Sequence, residues 1–268
     1  MKTLVSTLLL GLTALSAAAQ TPAPTFTSAC SDSRNGNGTS KQYCEIRDLT
    51  MPAPGSQTLT IDGKDNGGIS VKGWDGPDVR VRARISTWAK TDEAAAELAK
   101  GITLNTSGNT LRASGGKGLL QGWAVSYEVF VPRKTALALE TVNGGISLSN
   151  LDARITFETT NGGISLTDVA GQVKGQTTNG GVDIKLSGPK WVGAGLDVET
   201  TNGGISWELP KDYSAQLYTS TSMGDIKAGG LPVTKSGMFH KKLTATLGQG
   251  GAPVKAVTTN GGIKVRQL

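Results

Sequence analysis

The sequence predicts an all-β fold: a single-domain, β-solenoid-like stack of short strands with NGG turns and one short accessory helix. Three observations carry this. The triplet Asn-Gly-Gly occurs six times, in phrases such as ETTNGGISLTDV, and Asn143, Asn161 and Asn179 stand 18 residues apart. Residues flanking each triplet alternate apolar and polar, the period of a half-buried strand. With 37 glycines and only 5% aromatic residues, the chain is unsuited to a helix-rich globule. Fixed periods near twenty mark stacked repeats.

Residues 1–19, MKTLVSTLLLGLTALSAAA, read as a secretory signal peptide, with Lys2 as the charged start and Ala17, Ala18 and Ala19 as the small-residue cleavage site. The apolar run between them is shorter than the ~20 residues of a spanning helix, so a membrane anchor is the weaker reading. No Cys follows the cleavage site to take a lipid. Residues 20–55 form an N-terminal lead-in, bounded by the proline-rich TPAPT and MPAPG and holding the only two cysteines, Cys30 and Cys44. In an oxidising compartment such a close pair reads as one disulfide, worth about 3 kcal/mol in the chain-entropy account. A structural zinc wants four ligands, and beyond the two cysteines there is a single histidine, His240.

Residues 56–268 form the β-strand-repeat domain. DVRVRARIST puts Arg80, Arg82 and Arg84 on one side of a strand and Val79, Val81, Ala83 and Ile85 on the other. The arginine row suits a solvated face or, alternatively, a polyanion contact. TDEAAAELAKG is the accessory helix, capped by Thr91, with Asp92 and Glu93 at the positive end of its dipole and Gly101 at its close. GITLNT, TLRAS and AVSYEVFVP lead into the array. The interval from Asn179 to Asn202 lengthens to 23 with GPKWVGAG as insertion; a degenerate unit, STSMGDIK, follows before Asn260.

Aligned units give columns. Before the turn, Leu137, Ile155, Val173 and Leu196 share one inward position, Leu139, Phe157, Gly175 and Val198 the next, and Thr141, Thr159, Thr177 and Thr200 the third. After it, Ile146, Ile164, Val182 and Ile205 align, then Leu148, Leu166, Ile184 and Trp207. Glu140, Glu158, Gln176 and Glu199 point outward, as do Ser147, Ser165, Asp183 and Ser206.

The structural turns are Asn66, Gly67, Gly68; Asn143, Gly144, Gly145; Asn161, Gly162, Gly163; Asn179, Gly180, Gly181; Asn202, Gly203, Gly204; and Asn260, Gly261, Gly262. Asn-Gly suits successive residues at positive φ, glycine lets neighbouring turns approach, and stacked asparagines can bond along the ladder. A phosphate cradle would need a helix after each turn, and a strand follows instead. The closing TTNGGIKVRQL keeps Ile263 and Val265 inward and Lys264 and Arg266 outward, so it is expected to cap the stack.

No catalytic or metal constellation emerges, and no cofactor is expected. Asp168 and Asp183 fall at different offsets, unlike a calcium-binding repeat, and Glu140, Glu158 and Glu199 read as a solubilising stripe. The tryptophans Trp74, Trp88, Trp123, Trp191 and Trp207 suit core or capping positions better than sugar stacking. The formal charge of +6 suits an ordinary soluble surface and equally an affinity for anionic envelope polymers. No nucleic-acid motif is present.

The ordered set DNGGISVKGW, DVRVRARIS, YEVFVPRKTALALETVNGGISL, the serial TTNGGI units and LGQGGAPVKAVTTNGGIKV resembles the bacterial putative-adhesin β-strand-repeat family, also called toastrack domains. The resemblance runs from about residue 44 to 268, and departs at Met223, where the family usually keeps Asn. It implies an exported, solenoid-like cell-envelope domain without catalytic residues. The expected function is therefore a non-enzymatic surface or periplasmic protein, an adhesin or interaction module presenting a rigid β-scaffold. The alternatives are a polysaccharide-active solenoid enzyme and an envelope-stress sensing or assembly module. Envelope or host polysaccharide, or a surface protein, are the expected partners. Nucleic acid is not, the mature chain has no expected membrane span, and a monomer is expected.

Overall fold

The computed structural model describes residues 22–30, 40–231, 234–236 and 240–268. The signal peptide expected at 1–19 and the tip of the cystine loop lie outside the described residues. The chain enters through β1 (Lys41–Pro52) and lays down a first rung as β2 (Leu59–Asp62) and β3 (Ile69–Trp74). An excursion follows through β4 (Asp78–Ala89), α1 (Asp92–Lys100), β5 (Thr103–Asn105), β6 (Thr110–Ser114) and β7 (Gly122–Pro132). The array continues as β8 (Leu137–Thr141), β9 (Ile146–Asn161), β10 (Ile164–Asn179), β11 (Val182–Lys185), β12 (Gly195–Asn202) and β13 (Ile205–Leu209). It closes with β14 (Ala215–Met223), β15 (Ile226–Ala228), β16 (Thr234–Ser236), β17 (His240–Leu247), β18 (Pro253–Asn260) and β19 (Ile263–Gln267).

Each turn joins a strand of one ladder to a strand of a second, and the two ladders enclose the core. In the leading ladder β2, β8, the second half of β9, the second half of β10, β12, β18 and β14 run parallel in that order. In the following ladder the order is β3, the first half of β9, the first half of β10, β11, β13, β19 and β15. β9 and β10 each cross from one ladder to the other at a left-handed residue, Asn150 (φ 55°) and Asp168 (φ 53°). Their polar side chains tolerate this conformation. At the near end β7 pairs parallel with β3 and β6 parallel with β2, and antiparallel strands follow: β4 and β1 beyond β7, and β5 beyond β6. At the far end β17 and β16 run antiparallel beyond β14.

The inward columns are the core. Leu137, Ile155, Val173, Leu196, Val254 and Leu217 stack in register, each buried. Each such aliphatic side chain contributes roughly 1.5–3 kcal/mol by leaving water. In the neighbouring column of Leu139, Phe157, Gly175 and Val198, the ring of Phe157 occupies the space a side chain at Gly175 would need. The helix α1 begins at Thr91, whose hydroxyl accepts the Ala94 amide, and packs Ala95 and Ala99 against the end of the slab formed by β1 and β4.

The C-terminal rung does not cap the stack. β18 and β19 lie between the β12–β13 rung and the β14–β15 rung, bonded on both sides. The outer rung is the degenerate MGD unit. Columns of equal apolar content fit any neighbour, so the inward Ile263 and Val265 did not specify an end position. Lys264 and Arg266 point to solvent along the slab rather than off its edge.

Candidate functional site

Three interactions build the turn ridge. Asn143, Asn161, Asn179, Asn202 and Asn260 each donate through Nδ2 to Oδ1 of the preceding asparagine in space, over 2.8–3.1 Å, in a file that starts at Asn66. The inward threonines form a second file. Thr141, Thr159, Thr177, Thr200, Thr258 and Thr221 each donate their hydroxyl, at 2.8 Å, to the carbonyl of the first turn glycine one rung back. That carbonyl lies at a corner that is buried at Gly67 and partly buried at the other turns, where a partner is favoured. The second threonine of TTNGG therefore has a structural reason beyond strand propensity.

The third concerns the glycines, and it corrects an expectation. Among the described residues, positive-φ glycines occur elsewhere in the chain, and none of the NGG glycines is among them. Close approach is what selects glycine. A Cβ on Gly144, Gly162, Gly180, Gly203 or Gly261 would overlap the carbonyl oxygen of the turn below. The second glycines are freer: a Cβ at Gly68, Gly163 or Gly181 would find its nearest neighbour at 3.5 Å, an ordinary contact, while Gly145 and Gly204 are tighter at 3.2 and 3.1 Å. The degenerate turn Met223, Gly224, Asp225 keeps the first glycine and replaces the second.

Beside the ridge, on the outer face of the following ladder, lies a groove of about 580 Å³. Its floor is the backbone of Gly68, Gly145 and Gly163 with the hydroxyls of Ser70, Ser147 and Ser165, ending at Asp183. The register Ser70–Ser147–Ser165–Asp183 runs directly across adjacent rungs. Arg84, Ser126 and Glu128 close one end.

One wall belongs to the lead-in. Residues 22–30 lie on β1, β4 and β7 as a strap. Its Phe26 ring meets Phe130 edge-on at 5.3 Å and lies under the Arg82 guanidinium. Glu128 accepts the amides of Thr27 and Ser28 at 2.8–3.0 Å and the Thr27 hydroxyl at 3.0 Å. Burial alone would raise the Glu128 pKa, but these hydrogen bonds outweigh it and hold the carboxyl below its usual range. Arg82 pairs with Asp48 at 2.7 Å, and a disulfide joins Cys30 to Cys44.

The sequence had marked the serine row as outward, and the structure turns that row into a groove. It gave no sign of the strap, because TPAPTFTSAC has no strand period. The stripe Glu140, Glu158 and Glu199 lies on the opposite, leading-ladder face. Of the tryptophans, Trp74, Trp123, Trp191 and Trp207 are buried. His240 begins β17 at an exposed position.

The family model Toastrack DUF4097 matches residues 134–266, the array from β8 onward. The chain carries a Toastrack domain. The match starts later than the resemblance read from the sequence, which runs from about residue 44, and leaves β2 and β3 outside it. No curated protein is recognisably similar in sequence. Among solved structures, a putative cell adhesion protein from Clostridium sporogenes is 14% identical, with 85% of this chain and 100% of that one covered and a TM-score of 0.43. A putative adhesin from Bacteroides fragilis is 12% identical over 83% and 97%, with a TM-score of 0.35. A putative lipid binding protein from Parabacteroides distasonis is 14% identical over 87% and 98%, with a TM-score of 0.31.

Proposed function

We propose that this Toastrack chain is a non-enzymatic, exported cell-envelope module that holds an extended polysaccharide across the outer face of its following ladder. The observation that carries the reading is the groove itself. Four successive rungs present backbone, hydroxyl or carboxylate and no bulky side chain, and a linear polymer with closely spaced hydroxyls suits a row of fixed polar groups. The disulfide supports an oxidising compartment. Among the described residues, no helix is long and apolar enough to cross a membrane.

The binding reading is favoured over glycoside hydrolysis by the state of Glu128. A hydrolase sets a protonated carboxyl against an ionised one. Glu128 is occupied by the strap amides and held in its ionised form, which opposes a general-acid role. The test is a panel of neutral and acidic polysaccharides, with binding and product release both measured on the mature chain. Binding without products is expected, and replacing Ser147 and Ser165 together by Tyr should abolish it while leaving the melt unchanged. Sugar release, binding to none of the panel, or binding indifferent to those tyrosines would each overturn the reading.

A further inference from the structure

The chain's basic excess is not spread evenly over the slab. Lys72, Lys185, Lys264 and Lys227 occupy exposed outward positions of the following ladder. At the far end Lys264 and Lys227 are register neighbours, and with Lys211 and Arg266 they line a second concavity of about 560 Å³. At the near end Arg84 lines the groove half-buried, and no ion pair to it is found among the described residues. The carboxylates on this face are mostly engaged: Glu128 by the strap and Glu208 by Arg266 at 3.1 Å, leaving Asp183. The opposite face is mixed. There Glu140 and Glu158 stand in register, Asp197 and Glu199 share Lys255, and exposed Arg154 and Lys174 stand among them.

We propose that the following-ladder face is a cationic track for a linear polyanion, a carboxylate-bearing polysaccharide of the polyuronate class. This rests on the binding reading above and adds the charge of the ligand. The register from Ser70 through Ser147, Ser165, Asp183, Ser206 and Lys264 to Lys227 is unbroken. At ~4.8 Å per strand it extends on the order of 30 Å. Arg84 is suited to grip a carboxylate bidentately at one end, and the lysines supply point charges at the other. Between them the serine hydroxyls match the hydroxyls of a sugar chain. Nucleic acid fits less well, because these outward positions carry no aromatic ring on which bases would stack. An anionic membrane fits less well too, since the exposed Leu119 and Leu120 lie in the β6–β7 connection and not along the track.

The experiment uses the full mature chain with polygalacturonate, fully methyl-esterified polygalacturonate and double-stranded DNA as probes, each titrated at two salt concentrations. Polygalacturonate should bind, weaken with salt, and exceed both other probes. Lys227→Glu with Lys264→Glu should lower its affinity by about tenfold or more, and Arg84→Gln should lower it as well. Lys174→Glu, on the opposite face, should change it little, and thermal melts should show each variant folded. Equal binding of the esterified polymer overturns the charge assignment while leaving the polysaccharide reading intact. DNA binding as tight as polygalacturonate overturns the ligand class. Binding of no polymer overturns both readings, and an effect of Lys174→Glu equal to that of the track variants overturns the placement.

Discussion

At Gly162 the obstacle to a side chain is the carbonyl of Gly144, whereas at Gly163 the nearest atom to a Cβ would be the Gly181 carbonyl oxygen at 3.5 Å. Neighbouring glycines in one turn thus differ in what they tolerate. Gly162→Ala should destabilise by about 1–3 kcal/mol, as overpacking does when only backbone is available to move. Gly163→Ala should fall within about 0.5 kcal/mol of the parent. Paired denaturant melts decide this, and equal losses would refute close approach as the selecting force. The threonine file makes a second residue-scale prediction. Thr177→Val keeps the shape but strips the donor from the Gly162 carbonyl, so it should cost about 1–3 kcal/mol. Thr177→Ser keeps the donor and should recover part of that loss. If Val and Ser melt alike, the hydroxyl is not what the corner requires. The triplet was conspicuous in the sequence, yet its reason was only half legible: spacing reveals that glycine recurs, while φ and the distance to the next turn depend on tertiary stacking.

Among the elements, the strap depends on a single carboxylate more than on its own sequence. Glu128 is held below its usual range in the folded protein, so its contribution is fully present above the ordinary glutamate pKa and is lost as pH falls through the lower, folded value. Acidification should therefore loosen residues 22–30 before the ladders melt. Proteolysis between Phe26 and Cys30, followed as a function of pH, measures this; a cut there falls outside the loop closed by the disulfide and releases the N-terminal piece. Glu128→Gln should make the strap loose already at neutral pH and remove the acid dependence. A strap equally protected at all pH values, or unaffected by the glutamine, would place its anchorage in the Phe26 and Arg82 contacts and the disulfide rather than in Glu128. Strands and helix were readable because their period and caps are local properties: the DVRVRARIST alternation became β4, and Thr91 caps α1. The groove's wall was not, because it arises where an aperiodic segment meets a face more than 90 residues away in sequence, with Thr27 on Glu128 101 residues apart.

Over the whole molecule, the order of rungs in space departs from their order in the chain. An 18-residue period says that consecutive units stack, and for β8 through β13 they do. It cannot distinguish neighbours whose inward residues are interchangeable, which is why the final rung's place was illegible. The Asn and Thr files record the true order: Asn260 bonds Asn202, Thr258 bonds the Gly203 carbonyl, and Thr221 in turn bonds the Gly261 carbonyl. β18 and β19 are thus an internal brace between the β12–β13 and β14–β15 rungs. Stacked repeats draw their stability from interfaces with their neighbours. Deleting residues 253–268 therefore removes two interfaces from the interior rather than one from an end. Hydrogen exchange on the truncated chain should show β15 losing protection, β14, β12 and β13 weakened because each loses one partner, and β9 and β10 still protected. Continued protection of β15 would contradict the spatial order, since among the described residues no other strand pairs with β15, whereas β14 keeps its antiparallel partner β17. Loss of protection throughout would mean that the rungs unfold as one cooperative unit, with the last residues of the chain required before any of the slab is stable.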